Sequence, residues 1–143
     1  MKRVSEIMTR NVYIADPNQT ISDVARAMAD ADVGSLPVGE NDRLVGMVTD
    51  RDIVLRAVAK GRDGKTKVRD VMTEHIQYCY DDDAITKVAD HMSNLGLRRM
   101  AVLNHDKRLV GIVTLSDIAS CGESKAAAKM AKGVAKPHPQ AHH

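Results

Sequence analysis

Apolar positions along the chain come in short blocks whose spacing switches between helical and extended. Ile21, Val24, Ala25 and Met28 recur at intervals of three and four, which predicts an amphipathic helix capped by Thr20. Residues 36–38 and 44–48 read as strands, and Gly39-Glu40-Asn41-Asp42 between them suits a hairpin loop. Thr49 then starts a second helix. Upstream, residues 11–15 alternate as a short strand before the Asp16-Pro17-Asn18 turn.

The same order returns further on, with Ile85, Val88, Ala89 and Met92 on a helix, strands at 100–103 and 109–113, and Thr114 opening the last helix. The segment VSEIMTRNV at 4–12 reappears as VRDVMTEHI at 68–76, an offset of 64 that becomes 65 after one insertion in the loop NDR against HDKR. Identities number 17 in 50 aligned positions, where unrelated segments of ordinary composition share roughly three. Duplication explains this. Each copy is βαββα and alone is marginal for an aliphatic core, so the expectation is a pair packed about a pseudo-two-fold axis. The expected domains are a first repeat at 1–60, a link at 61–67 (GRDGKTK, without an apolar residue), a second repeat at 68–121, and a flexible Lys/Ala-rich tail at 122–143.

Composition narrows the function. The 143 residues hold no Phe, no Trp and three Tyr, so an aromatic platform for nucleic-acid bases has little to work with. The net charge is +2, with the positive excess in the tail lysines 125, 129, 132 and 136. These could contact phosphates, but sequence recognition would have no reader. Charge interrupts the N-terminus at once and no long apolar run occurs, so the expected location is cytoplasmic, away from membrane. Cys79 and Cys121 form no metal or disulfide pattern, and the histidines are scattered. No metal site is expected. Nor does a Ser, Cys or His stand in a nucleophile-and-base pattern, so no catalytic residue is assigned and the chain is expected not to be an enzyme.

The candidate chemistry lies in G-h-V-T-x-x-D-I, present as residues 46–53 and again as 111–118. A strand hands over there to a helix N-terminus. A purely structural role is available: Thr49 or Thr114 caps the helix while Asp52 or Asp117 reaches back, a capping box worth about 1 kcal/mol. A binding role is the alternative, with unpaired helix N–H groups attracting an anion and the carboxylate accepting two adjacent hydroxyls. A ribose phosphate supplies both groups. Arg51 and Ser116, inside the two motifs, would flank the same opening.

The doubled pattern of V-x-x-h-M-T, capped helix and G-h-V-T-x-x-D-I resembles a pair of CBS domains, the Bateman module, over residues 4–121. The segment VTDRDIVLRAVAKG looks like small stand-alone bacterial members of the hypoxic and stress responses. The resemblance implies an α/β fold of two tandem repeats with two clefts, often a disc-shaped homodimer. It implies a regulatory ligand such as AMP, ADP, ATP, NAD or S-adenosylmethionine, and signalling to an effector protein that the sequence does not name. It places Met47, Thr49, Arg51, Asp52, Thr73, Gln77, Leu97 and Arg98 around one cleft. Around the other it places Thr9, Tyr13, Val33, Gly34, Arg99, Ile112, Thr114, Ser116 and Asp117, with Arg99 towards phosphate. Two alternatives remain: a protein-interaction module whose T-x-x-D is only a cap, and a metal or thiol sensor using the tail histidines and the cysteines.

Overall fold

The computed structural model describes residues 2–74, 76–122 and 124–135, and these divide into two compact units, one within 13–76 and the other built on 2–12 with the described residues of 77–135. They are called here the first-repeat and second-repeat units. Among the described residues no helix is long and apolar enough to cross a membrane.

In the first-repeat unit, α1 (Ile21–Ala31) leads to the antiparallel pair β1 (Ser35–Glu40) and β2 (Arg43–Thr49), and β2 runs directly into α2 (Asp50–Arg56). Thr20 Oγ1 accepts from the Asp23 N–H at the start of α1, as its position predicts. Ile21, Val24 and Met28 on α1 meet Leu36, Val38 and Val48 of the sheet in an aliphatic core that also takes in Ala57, Val68 and Val71.

In the second-repeat unit, β3 (Tyr78–Tyr80) pairs parallel with β4 (Arg99–Leu103), which pairs antiparallel with β5 (Leu109–Thr114). The helices are α3 (Ile85–Leu95), α4 (Leu115–Ser120) and α5 (Ser124–Ala135). The core gathers Ile85, Val88, Met92, Met100, Val113 and Ile118, together with Met130 from α5.

The units do not coincide with the sequence repeats. The segment at 2–9 belongs to the second-repeat unit, where Val4 N–H donates to Asp83 O (3.0 Å) and Thr9 and Ile112 exchange both backbone bonds (2.8 and 2.9 Å). Its counterpart is built into the first-repeat unit, where Thr73 and Met47 exchange theirs (2.8 and 2.9 Å). Each Met-Thr segment therefore completes the sheet region of the opposite repeat. The glycine opening each G-h-V-T makes this possible: a Cβ on Gly111 would stand 2.7 Å from Thr9 O, and one on Gly46 2.9 Å from Thr73 O.

Residues 61–67, besides linking the copies, bond to the start of α1: Ile21 N–H donates to Thr66 O (2.8 Å) and Ser22 N–H to Gly64 O (3.1 Å), which satisfies helix-start donors that have no intrahelical partner. Two expectations are corrected. Residues 11–15 do not form a strand; only Ala15 bridges, in parallel with Val38, and Pro17 follows two residues on. The C-terminal segment is helical over Ser124–Ala135 and packs on α3 and α4, with Met130 fully buried and Ser93 Oγ donating to Lys129 O (2.9 Å). Its buried apolar side chains, Ala127 and Met130, lie three apart on one face, and Gly133 follows at the next such position.

Candidate functional site

Both T-x-x-D motifs form complete capping boxes. In the first-repeat unit Thr49 N–H donates to Asp52 Oδ2 (3.0 Å) while Asp52 N–H donates to Thr49 Oγ1 (3.0 Å). In the second-repeat unit Thr114 N–H donates to Asp117 Oδ2 (3.0 Å) and Asp117 N–H to Thr114 Oγ1 (3.1 Å). The structural role is thus filled twice, and each carboxylate keeps one oxygen for something else.

That second oxygen differs between the copies. Asp52 is 3% exposed, and its Oδ1 has the Arg56 guanidinium at 3.8 Å, a residue one turn along α2 and outside the T-x-x-D motif. Arg56 is held by donating to Met72 O (3.0 Å). Asp117 is half-buried, and among the described residues nothing bonds to its Oδ1. The second copy has Cys121 where the first has Arg56, so the cation is missing there.

The helix starts differ in the same sense. Asp50 N–H donates to Gly34 O (2.9 Å), and Asp50 Oδ1 accepts from Arg51 N–H (2.8 Å). With the two box bonds, every amide from Thr49 to Asp52 is engaged, which corrects the expectation of unpaired N–H groups at this end. Gly34 makes room for it, since a Cβ there would meet Asp50 Oδ2 at 3.0 Å. In the second copy Leu115 stands for Asp50 and Arg98 for Gly34; Leu115 N–H donates to Arg98 O (3.0 Å), and among the described residues the Ser116 N–H has no acceptor.

The remaining candidates divide by unit. Arg99 and Thr114 are register partners across β4–β5, and Thr9 pairs with Ile112, so Thr9, Arg99, Ile112, Thr114, Ser116 and Asp117 share the second-repeat unit. Tyr13, Val33 and Gly34 belong to the first-repeat unit, where the Tyr13 hydroxyl accepts from Gln19 Nε2 (2.7 Å). Met47, Thr49, Arg51, Asp52 and Thr73 share the first-repeat unit, whereas Gln77, Leu97 and Arg98 lie in the second. Among the described residues Thr73 Oγ1 is buried with no hydrogen-bond partner, an uncommon and costly state for a hydroxyl. Its counterpart Thr9 is exposed.

The thiol alternative loses one of its groups. Cys79 is buried in β3, and burial, aided by Asp83 and Asp81, pushes its thiol up to about 12, so it stays protonated and inert at neutral pH. Cys121 is half-buried and its Sγ bonds Ile118 O. The tail residues His138, His142 and His143 lie outside the described residues.

Two sheet-and-helix units, each with a carboxylate fixed one turn into a helix, define a tandem-repeat α/β class. The chain belongs to the CBS-domain family, whose profile matches residues 4–58 and 68–123. It is 40% identical over 119 residues to the CBS domain-containing protein YhcV of Bacillus subtilis, covering 83% of this chain and 84% of the relative. Hypoxic response protein 1 of Mycobacterium tuberculosis is 34% identical over 139 residues, 96% of each chain. A crystal structure of hypoxic response protein I with two coordinated zinc ions superposes with a TM-score of 0.75 at 35% identity, covering 83% of this chain and 98% of the other. The CBS domain pair of protein MJ0100, solved with 5′-methylthioadenosine and S-adenosyl-L-methionine, gives 0.74 at 27% identity, covering 87% and 98%.

Proposed function

We propose that the chain is a regulatory module that binds an adenosine-containing small molecule, with Asp117 as the acceptor for the ribose hydroxyl pair. The observation that carries this is the unshared Oδ1 of a carboxylate whose other oxygen is locked by the Thr114 N–H, so that acceptor and orientation are ready before ligand arrives. Thr114, Ser116 and Arg99 add a hydroxyl, an amide and a guanidinium from the same unit, suited to a phosphate or to further ribose contacts. Thr9 and Ile112 supply an apolar and backbone wall, and the family resemblance adds Tyr13, Val33 and Gly34. AMP, ADP, ATP, NAD and S-adenosylmethionine share the ribose and adenine on which these contacts act. The adenosine ligands of the MJ0100 pair support the class.

The Asp52 set, with Met47, Thr49, Arg51 and Thr73, and Gln77, Leu97 and Arg98 added by resemblance, is the weaker site in this reading, because Arg56 already shares its carboxylate. A second copy of the chain covers the apolar residues Val54, Leu55 and Val58, exposed by 53%, 47% and 64% on and just beyond α2. Ligand then acts by favouring one dimer geometry, which requires unequal affinity for the two states. The output passes to a separate effector protein, with no catalytic step in this chain.

Thermal unfolding with each nucleotide tests this. At a hundredfold excess over its dissociation constant, one of them is expected to stabilise the protein by about 2.7 kcal/mol, a rise of several degrees. Asp117→Ala is expected to abolish that rise and Asp52→Ala to preserve it. A parent unmoved by every nucleotide, or a rise that survives Asp117→Ala, overturns the proposal.

A further inference from the structure

Away from the T-x-x-D motifs, the second-repeat unit brings together three donors of mixed chemistry. Asp81, Asp82 and His105 each place one ligand atom so that all three lie within 4.8 Å of one another. Two different turns supply them. Asp81 and Asp82 follow β3 in the turn to α3, and His105 lies in the hairpin turn between β4 and β5.

Both turns are fixed by bonds that do not use the three donor atoms. Asp81 N–H donates to Leu103 O (2.9 Å) and Asp81 O accepts from Ser5 N–H (2.9 Å), while Asp82 O accepts from the Arg3 guanidinium (3.0 Å). The hairpin turn closes on Asn104, whose Oδ1 accepts from the N–H groups of Asp106 and Arg108 (both 3.0 Å). The imidazole of His105 stacks on the Tyr80 ring at 4.6 Å and 10° between planes, which restricts the direction of its Nε2. That nitrogen is 2.8 Å from Asp82 Oδ2. For metal–ligand bonds of ~2.1 Å, ligand-to-ligand edges of ~3.0–3.4 Å are required, so one edge is already close and closing the widest, within 4.8 Å, takes a movement of up to about 1.5 Å.

The duplication shows that the fold does not demand these residues. The corresponding positions in the first copy are Pro17, Asn18 and Asn41, and there Asn18 Oδ1 accepts from Arg69 instead (2.8 Å). The donor set is particular to the second copy, where it joins the ends of two adjacent parallel strands.

We propose that Asp81, Asp82 and His105 form a binding site for a divalent first-row transition ion, two carboxylate oxygens and one imidazole nitrogen on one side and water on the other. One imidazole with two carboxylates and no thiolate suits zinc, manganese or iron(II) in preference to copper(I). The nearby Arg3 and Lys107 charges oppose a dication and weaken its binding. The bound ion staples the β3–α3 turn to the β4–β5 hairpin and stabilises the second-repeat unit by mass action.

Zinc titration of the full chain by calorimetry at pH 7 is the test, run in a background in which His138→Ala, His142→Ala and His143→Ala remove the tail imidazoles. One equivalent is expected to bind and to raise the melting temperature. His105→Asn and Asp82→Asn in that background are expected to weaken binding more than tenfold without moving the metal-free melting temperature, since both side chains are largely exposed. Loss of all binding with the tail histidines, or an affinity unchanged by His105→Asn, overturns the site.

Discussion

The two Thr-x-x-Asp helix starts descend from one sequence and have come to hold their aspartates differently. In the first-repeat unit the carboxylate is buried, both oxygens are engaged and Asp50 fills the remaining amide, so the helix start is closed on itself. In the second-repeat unit one oxygen is fixed and the other is open. Three substitutions account for the difference: Asp50 against Leu115, Arg56 against Cys121, and Gly34 against Arg98. A cap supplies orientation either way, and binding capacity depends on what the neighbours leave unbonded.

The units differ most in what covers their helices. In the second, α5 lies on α3 and α4, and Ala89 and Ser93 are buried where their first-copy counterparts Ala25 and Ala29 are exposed. Met130→Ala is therefore expected to give the largest effect, a loss of about 2–4 kcal/mol in urea unfolding, because a fully buried side chain leaves a cavity. If the mutant unfolds at the parent midpoint, α5 contributes nothing and the two units are alike.

This helix was also the least legible part of the chain. Its apolar residues are few and its lysines and alanines allow a solvated helix equally well, so only the surface waiting on α3 decides its fate. The helices at Thr20, Thr49 and Thr114 and the two hairpins were legible because caps, periodicity and loop composition agree locally. The exchange of Met-Thr segments was not. It rests on long-range backbone pairing, and its one sequence trace is the glycine in each G-h-V-T, whose need for close approach appears only when Thr9 or Thr73 is beside it. Of the site, Asp52 and Asp117 were both legible, with unequal surroundings through Arg51 and Arg98 on one side and Ser116 and Arg99 on the other. The difference at the carboxylates themselves was not legible, because it arises from Arg56, an ordinary surface-type residue at i+4 from Asp52.

Next in size is the paired replacement of the aspartates. Asp52→Ala removes a buried acceptor from the Thr49 N–H and a partner from Arg56, and is expected to cost about 2–3 kcal/mol. Asp117→Ala removes a half-buried cap and is expected to cost about 1 kcal/mol. Denaturant midpoints of the two variants at equal slope give the comparison directly. Equal losses would mean that Arg56 and burial add nothing to the first box.

The smallest expected effect sharpens the comparison from the other side. Thr73 carries a buried hydroxyl with no partner among the described residues, while Thr9 at the matching place is exposed and can bond water. Thr73→Val keeps the shape and removes the desolvated hydroxyl, so the unliganded protein is expected to gain up to about 1 kcal/mol, with Thr9→Val near zero. Heating both variants with the stabilising nucleotide then separates two roles for Thr73. If the first-repeat set is the weaker site, the ligand-dependent rise is the same in Thr73→Val as in the parent. A rise lost in Thr73→Val and kept in Asp117→Ala would place the ligand on the first-repeat residues, with the orphaned hydroxyl as one of its contacts, and would reverse the order of the two helix starts.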